Sequence, residues 1–171
     1  MRERELRRRC RHLLRELDIQ PPLDVADLCS RLGTLRGRPI RLVAHPIPVP
    51  GPFGVWIASP EVDYILYQAE TSRSHQNHII LHELGHMLAD HRSDEQDDPL
   101  LGELYPDLAP DAVRRALRRT CYDTEQEWEA EIVATIILEW ASVADPLAAP
   151  VPQDPVARRL SKEFTDRVGW L

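Results

Sequence analysis

Hydrophobic positions recur at helical spacing near the N-terminus, where Leu6, Leu13, Leu14 and Leu17 line one side of a run otherwise filled by arginine and glutamate. Interleaved charges of both signs suit the solvated side of an amphipathic helix. That helix should stop before Gln20-Pro21-Pro22, because proline lacks an amide donor and restricts the residue before it. A second helix is predicted next. Asp24 can cap it, Val25, Leu28 and Leu32 give it an apolar side, and Gly33 suits its C-terminal end. Arg38 to Ala44 reads as a strand, ended by the proline-rich stretch His45 to Pro52.

The composition then turns to β-formers. Phe53 to Ala58 and Val62 to Tyr67 are β-prone runs joined by Ser59-Pro60-Glu61, which predicts an antiparallel hairpin. From Ser72 or Ser74 a long helix should reach about Asp90, followed by the acidic connection HRSDEQDDP. Pro110 fits the first turn of a short arginine-rich helix, and Tyr122 to Ala141 reads as a longer, largely buried one. Prolines at 146, 150, 152 and 155 precede a last predicted helix at 152–168. These elements predict one α+β domain over residues 1–171, with a helical segment 1–35, a core 36–145 and a C-terminal helix. In that core a small antiparallel sheet packs on a helical body.

Composition narrows the class. With 43% hydrophobic and 29% charged residues the chain is of ordinary globular make-up, neither disordered nor fibrous. No stretch approaches the roughly 20 apolar residues that span a bilayer, and the N-terminus has no apolar signal core, so a cytoplasmic protein without membrane contact is expected. A net charge of -7 argues against general nucleic-acid affinity, and the N-terminal arginines read as a helix surface rather than a DNA arm. Cys10, Cys29 and Cys121 are scattered without Cys-x-x-Cys spacing, as structural reduced thiols are.

The candidate chemistry lies in the run from Ile79 to Ala89, which contains His-Glu-x-x-His. Residues four apart on a helix differ by about 40° around the axis and about 6 Å along it, so His82 and His86 project together and can share one ion. Ile80, Leu81, Leu84, Met87 and Leu88 fall on the opposite side. Glu83 stands at the edge of the histidine face, placed to take a proton from a metal-activated water as general base rather than to bind the metal. Gly85 lies beside the histidines, where an absent side chain lets a neighbouring element come close. Mid-helix glycine costs about 1 kcal/mol relative to alanine. A metal site packed against the helix would compensate, as would tight packing alone.

A catalytic zinc generally takes three protein ligands and leaves a fourth position for water. His78 shares the histidine face, but positions 78, 82 and 86 span about 12 Å along the axis, too far for one ion with bonds of about 2 Å. His78 and His75 are therefore read as lining a cleft or making supporting hydrogen bonds, with plain solvation the equal alternative for His75. His91, past the helix end, would cap carbonyls or favour the helix dipole. The better third ligand lies in the later helix, where Glu127 and Glu131 are one turn apart on the side continued by Ala130, Ala134 and Leu138. Both would point inward, Glu127 coordinating zinc and Glu131 accepting a hydrogen bond from a ligand imidazole. The rival reading is a solvated, glutamate-rich helix start. Glu129 points away from Glu127 and is the weaker alternative ligand. Tyr105, Tyr122 and His78 are candidate oxyanion donors, among which the sequence does not choose.

In these residues the chain resembles the ImmA/IrrE-type zincin metallopeptidases. The resemblance covers Phe53 to about Leu138 and rests on Gly54 to Ala58, Asp63 to Tyr67, the helix from Ile80 to Leu88, and Glu127-Trp128-Glu129-Ala130-Glu131. It implies a gluzincin-like fold in which the hairpin edge receives an extended peptide as an added strand. It also implies a third ligand from a Glu-x-x-Ala-Asn-like element, which carries over onto Glu127. The chain departs from that pattern at Glu131, where Asn or Asp is commoner. By this resemblance the protein is expected to be a zinc endopeptidase that cleaves a helix-turn-helix repressor. The alternative is a zinc-containing regulatory protein that binds a transcriptional regulator without cutting it, and only the peptidase needs Glu83.

Overall fold

The computed structural model describes residues 3–47, 50–59, 61–91 and 122–148. The predicted helices at Pro110 and at 152–168, together with Tyr105 and Cys121, lie outside the described residues. In chain order the elements are α1 (Glu3–Glu16), α2 (Val25–Arg36), β1 (Ile40–His45), β2 (Gly54–Ala58), β3 (Asp63–Gln68), α3 (Arg73–Leu88) and α4 (Thr124–Ala148). No helix among the described residues is long and apolar enough to cross a membrane.

The amphipathic reading of α1 matches its packing. Leu6, Cys10 and Leu14 are buried and α1 lies against α4, while Arg7 joins Glu3 at 2.9 Å and Glu139 of α4 at 2.8 Å on the surface. In α2, Asp24 caps the start, its side chain accepting from the amides of Ala26 and Asp27 at 2.9 and 3.1 Å. The helix does not end at Gly33, however. It runs on to a cap at Gly37, whose φ of 67° is the left-handed conformation glycine adopts without strain. Gly33 has a different use: a Cβ there would stand 2.9 Å from the amide nitrogen of Ile40, so its absence lets α2 lie on the start of β1.

The sheet is mixed, not antiparallel as the hairpin alone suggests. Its order is β1-β3-β2, with β2 antiparallel to β3 and β1 parallel to it, Ile40 facing Asp63 and His45 facing Gln68. A fully buried carboxylate explains the parallel pairing. Asp63, at the start of β3, accepts from Arg38 Nε at 2.9 Å and from the Trp56 indole at 3.1 Å, and Arg36 approaches it at 3.6 Å. A buried anion needs such partners, and they fasten the start of β1 beside the start of β3. Alternation across the sheet puts Trp56 and Ile65 into the main core with Leu14, Leu28, Leu81, Leu84 and Ile137. Val55, Ile57, Tyr64 and Leu66 form a smaller cluster on the opposite face.

Ser72 caps α3, accepting from the amide of His75 at 3.3 Å. At the other end Asp90 takes a φ of 53°, the amide of His91 donates to His86 O at 2.9 Å and that of Asp90 to Met87 O at 3.3 Å. This is the Schellman arrangement, with aspartate where glycine is usual. Helix α4 starts later than the sequence suggests, because Asp123 and Gln126 form a reciprocal capping box at 2.8 and 3.0 Å that leaves Tyr122 outside it. It also continues past Ala141 to Ala148, after Glu139 and Trp140 have fastened it to α1 and the core.

Helices α3 and α4 pack more extensively on each other than on any other element. Where they cross, a Cβ on Gly85 would lie 2.8 Å from both Cα and O of Ala130, so the two backbones touch. Close helix packing is thus what compensates for a glycine in mid-helix.

Candidate metal centre

The crossing at Gly85 and Ala130 decides which side chains meet. Three residues before Ala130 and one after it, α4 carries Glu127 and Glu131 towards the histidine face of α3. His82 Nε2 lies 3.1 Å from His86 Nε2 and 3.3 Å from one Glu127 oxygen, and His86 Nε2 lies 3.8 Å from the other. One donor atom from each of these three residues falls within 4.8 Å of the other two, so the group could hold a metal ion.

The donor set fits such an ion. Two nitrogens on a tetrahedral ion with bonds of about 2.05 Å stand about 3.3 Å apart, close to the separation here. Burial, with His82 and His91 nearby, pushes the His86 imidazole down to about 3, so its ring is neutral and has a lone pair to give. Glu127 contributes negative charge from a half-exposed position.

Each imidazole is held at its far nitrogen. His82 Nδ1 faces Glu131 Oε2 at 3.4 Å, and the same oxygen bonds His78 Nε2 at 3.1 Å. Burial works to raise the Glu131 carboxyl, but hydrogen bonds and charge from His78 and His82 outweigh it and hold it below its usual value. His86 Nδ1 faces His91 Nδ1 at 3.1 Å, and His91 Nε2 faces Glu129 Oε2 at 3.1 Å.

Glu83 follows His82 in sequence but turns towards the sheet. Its Oε2 accepts the backbone amide of Trp56 at 2.9 Å, and the residue is buried. Burial pushes its carboxyl up to about 8, against the Trp56 amide and with a smaller contribution from Glu127. Its other oxygen lies beside Gly54, where a Cβ would stand 2.9 Å from it and 2.6 Å from Ile79 Cγ2. Tyr122 stacks on the His86 ring with centroids 3.6 Å apart at 14°. Its hydroxyl is buried without a hydrogen-bond partner among the described residues, and burial with the charges of Glu83 and Glu127 pushes its pKa up. A cavity of about 340 Å³ opens here, walled by Pro52, Phe53 and Gly54 on one side and by the histidines, Glu127 and Tyr122 on the other.

Several positions differ from the sequence reading. Glu127 and Glu131 line the mouth of the cleft at about half exposure rather than being buried, while Ala130, Val133 and Ala134 are buried between α4 and the core. His91 does more than cap: its backbone closes the end of α3 while its ring supports His86. Glu129 does point away from Glu127, and it does so into a buried contact with His91. His75 bonds Thr71 Oγ1 at 2.9 Å and lies beside the Phe53 ring at the cavity wall. Sequence reasoning missed the parts played by Gly54, Trp56 and Glu129. For Gly54 the signal was a glycine opening an apolar strand, where a close approach is a usual cause.

No protein-family model matches the chain, and neither a curated protein nor a solved structure shows significant similarity to it.

Proposed function

We propose that the protein is a zinc-dependent endopeptidase of the ImmA/IrrE type, with His82, His86 and Glu127 as the ligands and Glu83 as general base. The convergence of two Nε2 atoms and a carboxylate beside a buried glutamate in an open cleft carries this reading. Two imidazoles and one carboxylate form a donor set of catalytic zinc sites. Zinc bound there supplies Lewis acidity towards a peptide carbonyl and a water molecule.

The remaining work falls to side chains. Trp56 fixes one oxygen of Glu83, and the other stays at the cavity wall to take a proton from the attacking water and pass it to the departing amine. Burial raises the affinity of Glu83 for that proton, and the charge of a bound ion would favour the ionised form that accepts it. Tyr122, whose hydroxyl has no partner among the described residues, donates to the oxygen on which negative charge develops. Among the described strands β2 is an edge, and the order β1-β3-β2 places that edge beside the cleft. Because Glu83 occupies the Trp56 amide, an extended peptide pairs with β2 on the Gly54 side. A helix-turn-helix repressor is the substrate that the family resemblance suggests.

Glu83→Gln tests the assignment. Zinc content and partner binding are expected to persist while cleavage of a repressor encoded beside this gene disappears. Persistent cleavage by the clean variant removes Glu83 from the mechanism. A wild-type protein that binds zinc and the repressor but leaves it intact favours the non-cleaving regulatory reading instead.

A further inference from the structure

We infer that the C-terminal cap of α3 is a built support for His86, in which His91 and Glu129 form a buried hydrogen-bond relay that fixes the nitrogen His86 presents to the metal. The inference rests on His86 being a ligand, as proposed above.

In a Schellman turn the residue two beyond the cap folds back over the last turn of the helix, and the pair that meets there is usually hydrophobic. Here that pair is His91 and His86. The turn has Asp90 in a left-handed conformation, which aspartate tolerates better than most residues. Its effect is to seat one imidazole edge against another, with ring centroids 5.3 Å apart and the Nδ1 atoms at 3.1 Å. All members are enclosed: His86 is 1% exposed, and His91 and Glu129 are 7% exposed.

Proton placement in the relay has one consistent solution when His86 Nε2 is a ligand. That nitrogen then gives its lone pair, so Nδ1 carries the proton and donates. His91 Nδ1 must accept it, which places the His91 proton on Nε2, where the Glu129 carboxylate accepts. The order of donors therefore reads outward from the metal to a buried anion. His82 has the simpler support of Glu131, which is half exposed. The two ligands are thus held unequally, His86 by the sheltered device.

A purely structural role would be served as well by apolar groups, because a leucine at position 91 restores the usual contact of this turn. The test compares zinc affinity, by chelator competition on the full chain, in wild type, His91→Leu/Glu129→Leu and His91→Asn. The double variant is expected to fold and to bind zinc about 10- to 100-fold more weakly, the usual effect of losing such outer partners. His91→Asn keeps an acceptor oxygen towards His86 Nδ1 and is expected to retain most of the affinity. In zinc-loaded wild type, nitrogen NMR is expected to show His91 protonated on Nε2 and His86 on Nδ1. A double variant that holds zinc as tightly as wild type overturns the inference, as does a His91 ring protonated on Nδ1. If the double variant does not fold, the NMR result on wild type decides. A wild-type chain that takes up no zinc sinks the peptidase reading and this inference together, a result distinct from the others.

Discussion

Trp56 donates its backbone amide to the Glu83 carboxylate across 2.9 Å, while its indole is held by Asp63 at 3.1 Å. The sheet thereby positions the group proposed to move the proton, and the helix that bears that group supplies only its attachment.

Gly54→Ala should expose this dependence. The new methyl would sit 2.6 Å from Ile79 Cγ2 and 2.9 Å from Glu83 Oε1, distances that force a side chain to move. A displacement of about 1 Å in a reacting group can lower the rate about 100-fold. Zinc content is expected to stay at the wild-type level while kcat/KM falls by that order, measured on a peptide substrate with metal quantified in the same sample.

Gly85→Ala meets backbone instead, at 2.8 Å from Ala130, and backbone cannot swing aside. Alanine gains about 1 kcal/mol of helix propensity. Overpacking works against that gain, at about 1–3 kcal/mol. The expected result is net destabilisation in urea unfolding with chelator present, and weaker zinc binding because Glu127 retreats with α4.

Tyr122→Phe removes one oxygen that has no hydrogen-bond partner among the described residues. Stability is expected to hold or rise slightly, since an unsatisfied buried hydroxyl is lost. If the hydroxyl stabilises developing charge, kcat falls about 100- to 1000-fold with KM and zinc content little changed. An unchanged kcat leaves Tyr122 as a ring stacked on His86 and nothing more.

Alkaline stability should report the buried thiols. Burial pushes Cys29 up to about 12 and Cys10 up to about 11 from 9.0, so the folded state holds these protons longer than the unfolded chain does. Their contribution is therefore complete below pH about 9 and is lost as pH rises towards 11 to 12. Cys29→Ala is expected to start from a lower baseline, owing to a small cavity, and to decline less steeply over that range in thermal melts.

What the sequence made legible follows the range of the interactions. The meeting of His82 with His86 is fixed by one turn of helix, and a carboxylate-rich turn in the later helix pointed to Glu127. The hairpin likewise follows from two neighbouring β-prone runs and the short turn between them. The partner of His86 was not legible, because the direction of His91 depends on a left-handed residue at Asp90 that carries no glycine signature. Glu129 depends on how α4 is rotated against α3, which Gly85 and Ala130 set across a long separation in sequence. The parallel pairing of β1 was hidden for a similar reason: it depends on a buried Asp63 gathering Arg38 and Trp56, and hydrophobic alternation does not record such contacts.

The touching backbones of α3 and α4 have a consequence for folding. The donors they bring together come from opposite ends of a long stretch of chain, so an ion seated between them is a reversible cross-link that restricts the unfolded ensemble. Apparent stability then rises with free ion concentration by mass action, and a cell short of that ion would hold a looser protein.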